Sequence, residues 1–182
     1  MADSNATKRA FAHALKTLMD ETPFEKINVT QICQQCGMNR KSFYYHFKDK
    51  YDLVNWIYDT EFFAVASQQT FEDSWDFILE LLQYLYKNRK FYRKALRMTG
   101  QNSFPIHFRE VLLPLIDNRL RQVITGADIQ EFHINFFADA FACAIGRWLM
   151  DKNLLPPEEF LRMLRSCIEN ASESLHRNLT EQ

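Results

Sequence analysis

The stretch from Arg40 to Lys48 (RKSFYYHFK) gathers cations, hydroxyls and aromatic rings into nine residues. If Phe43 is set at 0° and each helical residue advances by about 100°, Phe47 lands near 40°, so the two rings point the same way. Lys48, Lys41 and Tyr45 then lie at roughly 140–200°, on the opposite side, while Tyr44, Ser42 and His46 flank that outer face at roughly 100°, 260° and 300°. Arg and Lys side chains match the acceptors on the guanine edge, and Tyr and Ser hydroxyls and backbone N–H groups hold phosphates. A helix start adds a favourable partial charge for an anion, and Arg40 stands at that start. This is the chemistry of double-stranded DNA recognition. The same pattern also describes a solvated face on a structural helix, with its tyrosines packed on neighbours.

Other chemistry finds less support. Cys33-Gln-Gln-Cys36 is a lone C-x-x-C, which reads either as a redox switch or half of a zinc site, or as two buried small residues. A zinc site needs a second pair of ligands, and Cys143, Cys167, His13, His46, His107, His133 and His176 show no paired spacing. The sequence contains no phosphate-binding glycine loop, no dinucleotide fingerprint, no H-E-x-x-H and no nucleophile elbow. It offers no catalytic residue, metal or cofactor to expect.

These side chains must be held by helices. Phe11, Ala14, Leu15, Leu18 and Met19 recur at helical spacing over residues 5–21, and Thr22-Pro23 ends that run. Asn28 suits the N-cap of a short second helix whose inner face is Val29, Ile32 and Cys33. Gly37 supplies the tight turn, Met38 plugs it, and Asn39 caps a third helix from Arg40 to Phe47. Asp49 caps a fourth, expected to run unbroken over residues 50–67. Short helix, glycine turn and short helix make a helix-turn-helix pattern. Beyond it the spacing predicts helices near 72–88, 89–98, 104–124, 128–151 and 157–178, with Pro114 expected to kink or divide the third of these.

Composition agrees with an all-α chain. Among 182 residues only 4 are Gly and 5 are Pro, against 16 Phe, so there are few breakers for a fold of many tight turns. The formal net charge of -1 conceals a division. Residues 1–50 carry eight Lys/Arg against five Asp/Glu, and the remainder carries fourteen against eighteen, a basic head on an acidic body. The most apolar stretch, Ile134–Met150, is interrupted by Asn135, Asp139, Gly146 and Arg147 and falls short of the roughly 20 apolar residues of a membrane span. With no hydrophobic signal at the N-terminus, a cytoplasmic, thiol-reducing location is expected.

The segment from Phe24 to Cys33 (FEKINVTQIC), followed by Cys36 to Leu53 (CGMNRKSFYYHFKDKYDL), resembles the N-terminal DNA-binding domain of the TetR family of bacterial transcription regulators. The likeness spans residues 8–55, and its most specific part is F-Y-x-H-F-x-x-K, from Phe43 to Lys50. It implies an N-terminal three-helix DNA-binding domain over residues 1–50 and a helical dimerisation and effector domain over residues 51–182. It also implies a homodimer, usually a repressor, on a palindromic operator. Carried over by position, the recognition-helix roles fall on Arg40, Lys41, Ser42, Tyr44, Tyr45 and His46. Lys50 matches a lysine that meets backbone phosphate, and Asn28 and Thr30 match the phosphate-proximal start of the second helix. Cys33 and Cys36 stand where the family has small, Ala-like residues, and Asn39 stands where it has Ser or Thr. Arg40 and Lys41 fall at variable positions, so the resemblance implies no operator sequence.

The tail, through Gly146–Leu149 (GRWL), is similar to the subgroup of dihydroxyacetone-kinase operon regulators, whose signal arrives through a protein partner. Two readings of the body therefore stay open: an unknown small-molecule effector in an aromatic pocket with His107, Asn135 and Asp139 as polar groups, or a partner protein docked on a filled body. An apolar stripe (Phe160, Leu164, Cys167, Ile168, Ala171 and Leu175) and, on the helix before it, Ala138, Phe141, Ala142, Ile145, Gly146 and Trp148 predict a homodimer through the last two helices. The alternative is that both pack only within one chain.

Overall fold

The computed structural model describes residues 2–66, 68, 74–120 and 127–167, and no strand occurs among them. Helix α1 (Ala2–Glu21) buries Phe11, Ala14, Leu15 and Met19, the face its spacing predicts. Pro23 ends it, and a single 3-10 turn (Phe24–Lys26) leads to α2 (Val29–Gln35). Asn28 caps α2 reciprocally: its Oδ1 accepts from the Gln31 amide at 3.0 Å, and its own amide donates to Gln31 Oε1 at 2.8 Å.

Between α2 and α3 (Arg40–His46) the chain makes a Schellman turn. Gly37 takes φ +68°, the Gly37 amide donates to Gln34 O, and the Met38 amide donates to Cys33 O at 2.9 Å. Met38 packs on the core beneath the turn. Helix α4 (Lys50–Tyr58) starts at Asp49, whose Oδ1 accepts from the Tyr51 and Asp52 amides at 2.8 Å each.

The fourth helix is not uniform as expected. It widens into a π-turn over Asp59–Phe63 before one further α-helical turn, α5 (Ala64–Ala66). The widened turn keeps Tyr58 and Phe62 in the core while Asp59 reaches His107 Nε2 at 2.7 Å and Glu61 meets Lys16 of α1 at 2.5 Å. The widened turn thus coincides with contacts to two other elements, which periodicity alone does not register.

Helices α6 (Ser74–Lys87), α7 (Arg89–Ala95), α8 (Phe104–Leu120) and α9 (Ala127–Met150) form the body, with a last helix, α10, over residues 157–167. The expected helix ends at 72–73, 121–124 and 168–178 lie outside the described residues. Helix α8 runs undivided through Pro114, which sits on the exposed side. It packs along α9, where Arg109 pairs with Asp139 and donates to Asn135 Oδ1 at 2.8 Å. Cations of α7 tie distant helix ends together: Lys94 donates to the Met19 and Asp20 carbonyls that end α1, and Arg93 donates to Leu149 O at 2.6 Å and Asp151 O at 2.7 Å at the end of α9.

Of the α9 face expected to meet a second chain, Phe141, Ala142 and Gly146 are half-buried. Ala138, Ile145 and Trp148 are buried within the chain itself, where Trp148 stacks on Phe160 of α10 at 4.9 Å and donates to Leu155 O at 3.0 Å. Exposed apolar side chains on these two helices include Phe132 and Phe136 on α9, 68% and 56% exposed, and Met163 on α10. Of the predicted stripe, Phe160 and Leu164 are half-buried and Cys167 is exposed. Ile168, Ala171 and Leu175 of the predicted stripe lie outside the described residues.

Candidate nucleic-acid interface

Helix α3 is pinned from below by rings. Phe43 and Phe47 are buried 5.6 Å apart, and both meet Phe11 of α1 edge-on, at 5.2 and 6.4 Å. The opposite side is free to meet a ligand. Arg40, Lys41, Tyr44, Tyr45 and Lys48 are exposed, Tyr45 to 83%, while Ser42 and His46 are half-buried at its margins. That is the angular order expected from the sequence.

Neighbouring contacts hold this outer set in place without burying it. The Arg40 guanidinium lies 5.7 Å from the Tyr44 ring centre and donates to its hydroxyl at 3.4 Å, and Tyr45 meets the His46 ring edge-on at 4.9 Å. Asn39 Oδ1 accepts from the Ser42 amide at 2.8 Å, closing the helix start beside Arg40. Asn28 and Thr30 are exposed at the start of α2. The Asn28 side chain serves as that helix's cap.

Lys50 is placed differently from the other candidates. Its Nζ donates to Phe24 O and Ile27 O at 2.7 Å each and to Glu25 O at 3.3 Å, and it lies 4.3 Å from the centre of the Phe24 ring. Burial lowers its pKa from the ordinary lysine value, with Glu25 and Asp49 acting in the opposite direction. The resemblance implies a phosphate contact for this residue, yet all three ammonium donors face carbonyls of its own chain. Sequence spacing gave no sign of this, because the acceptors lie 23–26 residues upstream.

The thiols of α2 sit in a packed setting. Cys33 is buried and Cys36 half-buried, both are free, and Cys36 Sγ donates to Ile32 O at 3.2 Å. Burial raises both thiol pKa values, which disfavours the reactive thiolate. Among the described residues no three His, Cys, Asp or Glu side chains cluster as metal ligands would.

The polar groups expected to line an effector pocket are already engaged. His107 faces Asp59, and Asn135 and Asp139 face Arg109. Between them, among the described residues, rings pack the centre of the body: the Tyr58 ring meets Phe62, Tyr92, Phe104 and Phe108 at 5.5–6.2 Å. Space of about 330 Å³ lies in an open groove lined by Leu96, Phe108 and Ala142 together with the paired Arg109 and Asp139, so of the expected polar groups Asp139 does border it. No helix among the described residues is long and apolar enough to cross a membrane.

Comparison with known proteins bears on this arrangement from outside. Residues 12–57 match the family described as "Bacterial regulatory proteins, tetR family", and residues 72–170, over half of the chain, match "Transcriptional regulator C-terminal region". The chain is 28% identical over 151 residues to the HTH-type dhaKLM operon transcriptional activator DhaS of Lactococcus lactis, a match that covers 81% of each chain. Two solved structures share the fold. A dihydroxyacetone kinase operon activator DhaS aligns with TM-score 0.64 and 23% identity, covering 90% of this chain and 96% of that one. A TetR transcriptional regulator from Streptococcus agalactiae aligns with TM-score 0.69 and 23% identity, covering 89% and 93%. With an N-terminal helix-turn-helix that presents a cationic, hydroxyl-bearing face and with both family regions matched in order, this chain belongs to the TetR family of bacterial transcription regulators.

Proposed function

We propose that the protein is a homodimeric, sequence-specific DNA-binding regulator whose operator affinity is set by a partner protein docked on the helical body. Residues 1–50 read DNA and residues 51–182 receive the signal. Helix α3 of each protomer enters the major groove with Arg40, Lys41, Ser42, Tyr44, Tyr45 and His46 toward the duplex, and Asn28 and Thr30 bring the start of α2 to phosphate. Two such helices on one face of DNA require half-sites about 34–36 Å apart, or a multiple of that, on a palindrome. The exposed pair Phe132 and Phe136 supports an interface between protomers on the outer side of α9.

The observation that carries the control mechanism is the packed centre of the body. His107 and Asn135 are already paired, rings pack the centre of the body around Tyr58, and the space of about 330 Å³ beside Phe108 is an open groove rather than an enclosed pocket. DhaS, to which the chain is similar, is described as an operon activator, whereas the family resemblance implies repression. The position of the operator relative to its promoter distinguishes the two signs. Operator-bound protein is to be challenged with the dialysable and the retained fractions of an extract of the source cells. Affinity changed by the retained fraction, and abolished there by protease, is the expected result. Control that resides in the dialysable fraction contradicts the partner mechanism and returns the reading to a small effector.

A further inference from the structure

Lys50 occupies an unfavourable place for a cation. It is the first residue of α4, at the positive end of the helix dipole, where carboxylates are preferred. Asp49 caps the helix beside it, and Asp52 accepts from the Lys48 amide at 2.9 Å. What the ammonium gains lies across the chain: three carbonyls of the Phe24–Ile27 segment and the face of the Phe24 ring. Phe24 O also accepts from the Ile27 amide at 3.1 Å, so the ammonium adds a second bond there and reaches the Glu25 and Ile27 carbonyls on either side of the turn's end.

The turn bears on DNA binding because it leads directly into α2. Ile27, one of the three acceptors, immediately precedes Asn28, the cap of that helix. Helix α2 is in turn locked to α3 by the Schellman turn at Gly37. The chain of contacts therefore runs from the start of α4, through the ammonium, to the start of α2 and on to the recognition helix. We infer that Lys50 is a positioning residue, an internal clamp that sets the α2–α3 unit against α4, and not a phosphate ligand.

This inference rests on the DNA-reading function, and the experiment keeps the two apart. Wild-type protein is first titrated with its selected operator and with random DNA over a range of salt. A wild type that prefers no fragment defeats the DNA-reading function before any variant is made. Lys50→Met, which keeps the stem over Phe24 but loses the ammonium, is then compared at a temperature where both proteins are fully folded. The clamp predicts that operator affinity falls roughly tenfold, the scale of one charge-assisted hydrogen bond, while random-DNA affinity barely changes. It also predicts an unchanged slope of log affinity against log salt.

A phosphate contact instead weakens both DNAs alike and lowers the slope by about one, which overturns the inference. Losses on both DNAs that only track a reduced folded fraction overturn it as well. A second readout needs no variant. The Lys50 ammonium resonance in nitrogen-edited NMR should be slow in exchange in the free protein and should stay unshifted on adding operator. A resonance that moves only when DNA is added counts against the clamp.

Discussion

At the scale of single residues, two cations on the same helix should behave differently. The Arg40 guanidinium sits at the N-terminus of α3, beside Tyr44, where helix-turn-helix proteins meet base edges. Lys41 lies further round the exposed face. Arg40→Ala is expected to cost about 1–3 kcal/mol of operator binding and to relax specificity at one base pair. Lys41→Ala is expected to weaken operator and random DNA alike and to reduce the salt slope by about one. Binding isotherms for both variants on both DNAs check the division, and equal losses of specificity in the two variants contradict it. These positions were legible from the sequence because a helix fixes direction by count alone: once Phe43 and Phe47 define the inside, the outside is determined. Lys50 was not legible in this way, since a carbonyl cage contributed by residues 23–26 positions away leaves no trace in local spacing.

At the scale of elements, the caps and the glycine turn could be read from sequence while the centre of the body could not. Asn28, Asn39, Asp49 and Gly37 act on their own neighbours, so residue type predicts geometry. The π-turn at Asp59–Phe63 coincides with tertiary contacts, and the inward turn of Ala138, Ile145 and Trp148 depends on which of two packings the body adopts. The cluster around the π-turn yields its own test. Tyr92 and Tyr84 share a hydroxyl hydrogen bond of 2.8 Å, whereas the buried Tyr58 hydroxyl has no partner among the described residues. Tyr92→Phe is expected to cost about 1 kcal/mol, and Tyr58→Phe to be neutral or to stabilise by up to about 1 kcal/mol. Denaturant midpoints rank the pair, and a costlier loss at Tyr58 contradicts the packing described. Burial raises the pKa of all three phenols. Below about pH 10 folded and unfolded chains both keep these protons; above it the unfolded chain releases them and the folded one does not, so stability falls as pH rises. An alkaline absorbance titration should show these tyrosines ionising together with unfolding, not before it.

At the scale of the whole molecule, charge and packing divide the labour. A head with net positive charge and a body with net negative charge place the electrostatic attraction for DNA where α3 presents its cations. Conversely, rings pack the centre of the body around Tyr58, which under the proposed control mechanism leaves its outer surface to receive the signal. Fold class was readable from few breakers and long periodic runs, but whether the aromatic residues line a cavity or fill it is a question of volume that composition does not answer. The central claim is that the outer face of α3 reads DNA sequence. Selection of bound fragments from the source genome by purified protein tests it most directly, with an Arg40→Ala/Tyr45→Ala double variant in parallel. The account predicts enrichment of one palindromic site by the wild type and its loss in the folded double variant. Equal enrichment of that site by both proteins would contradict it.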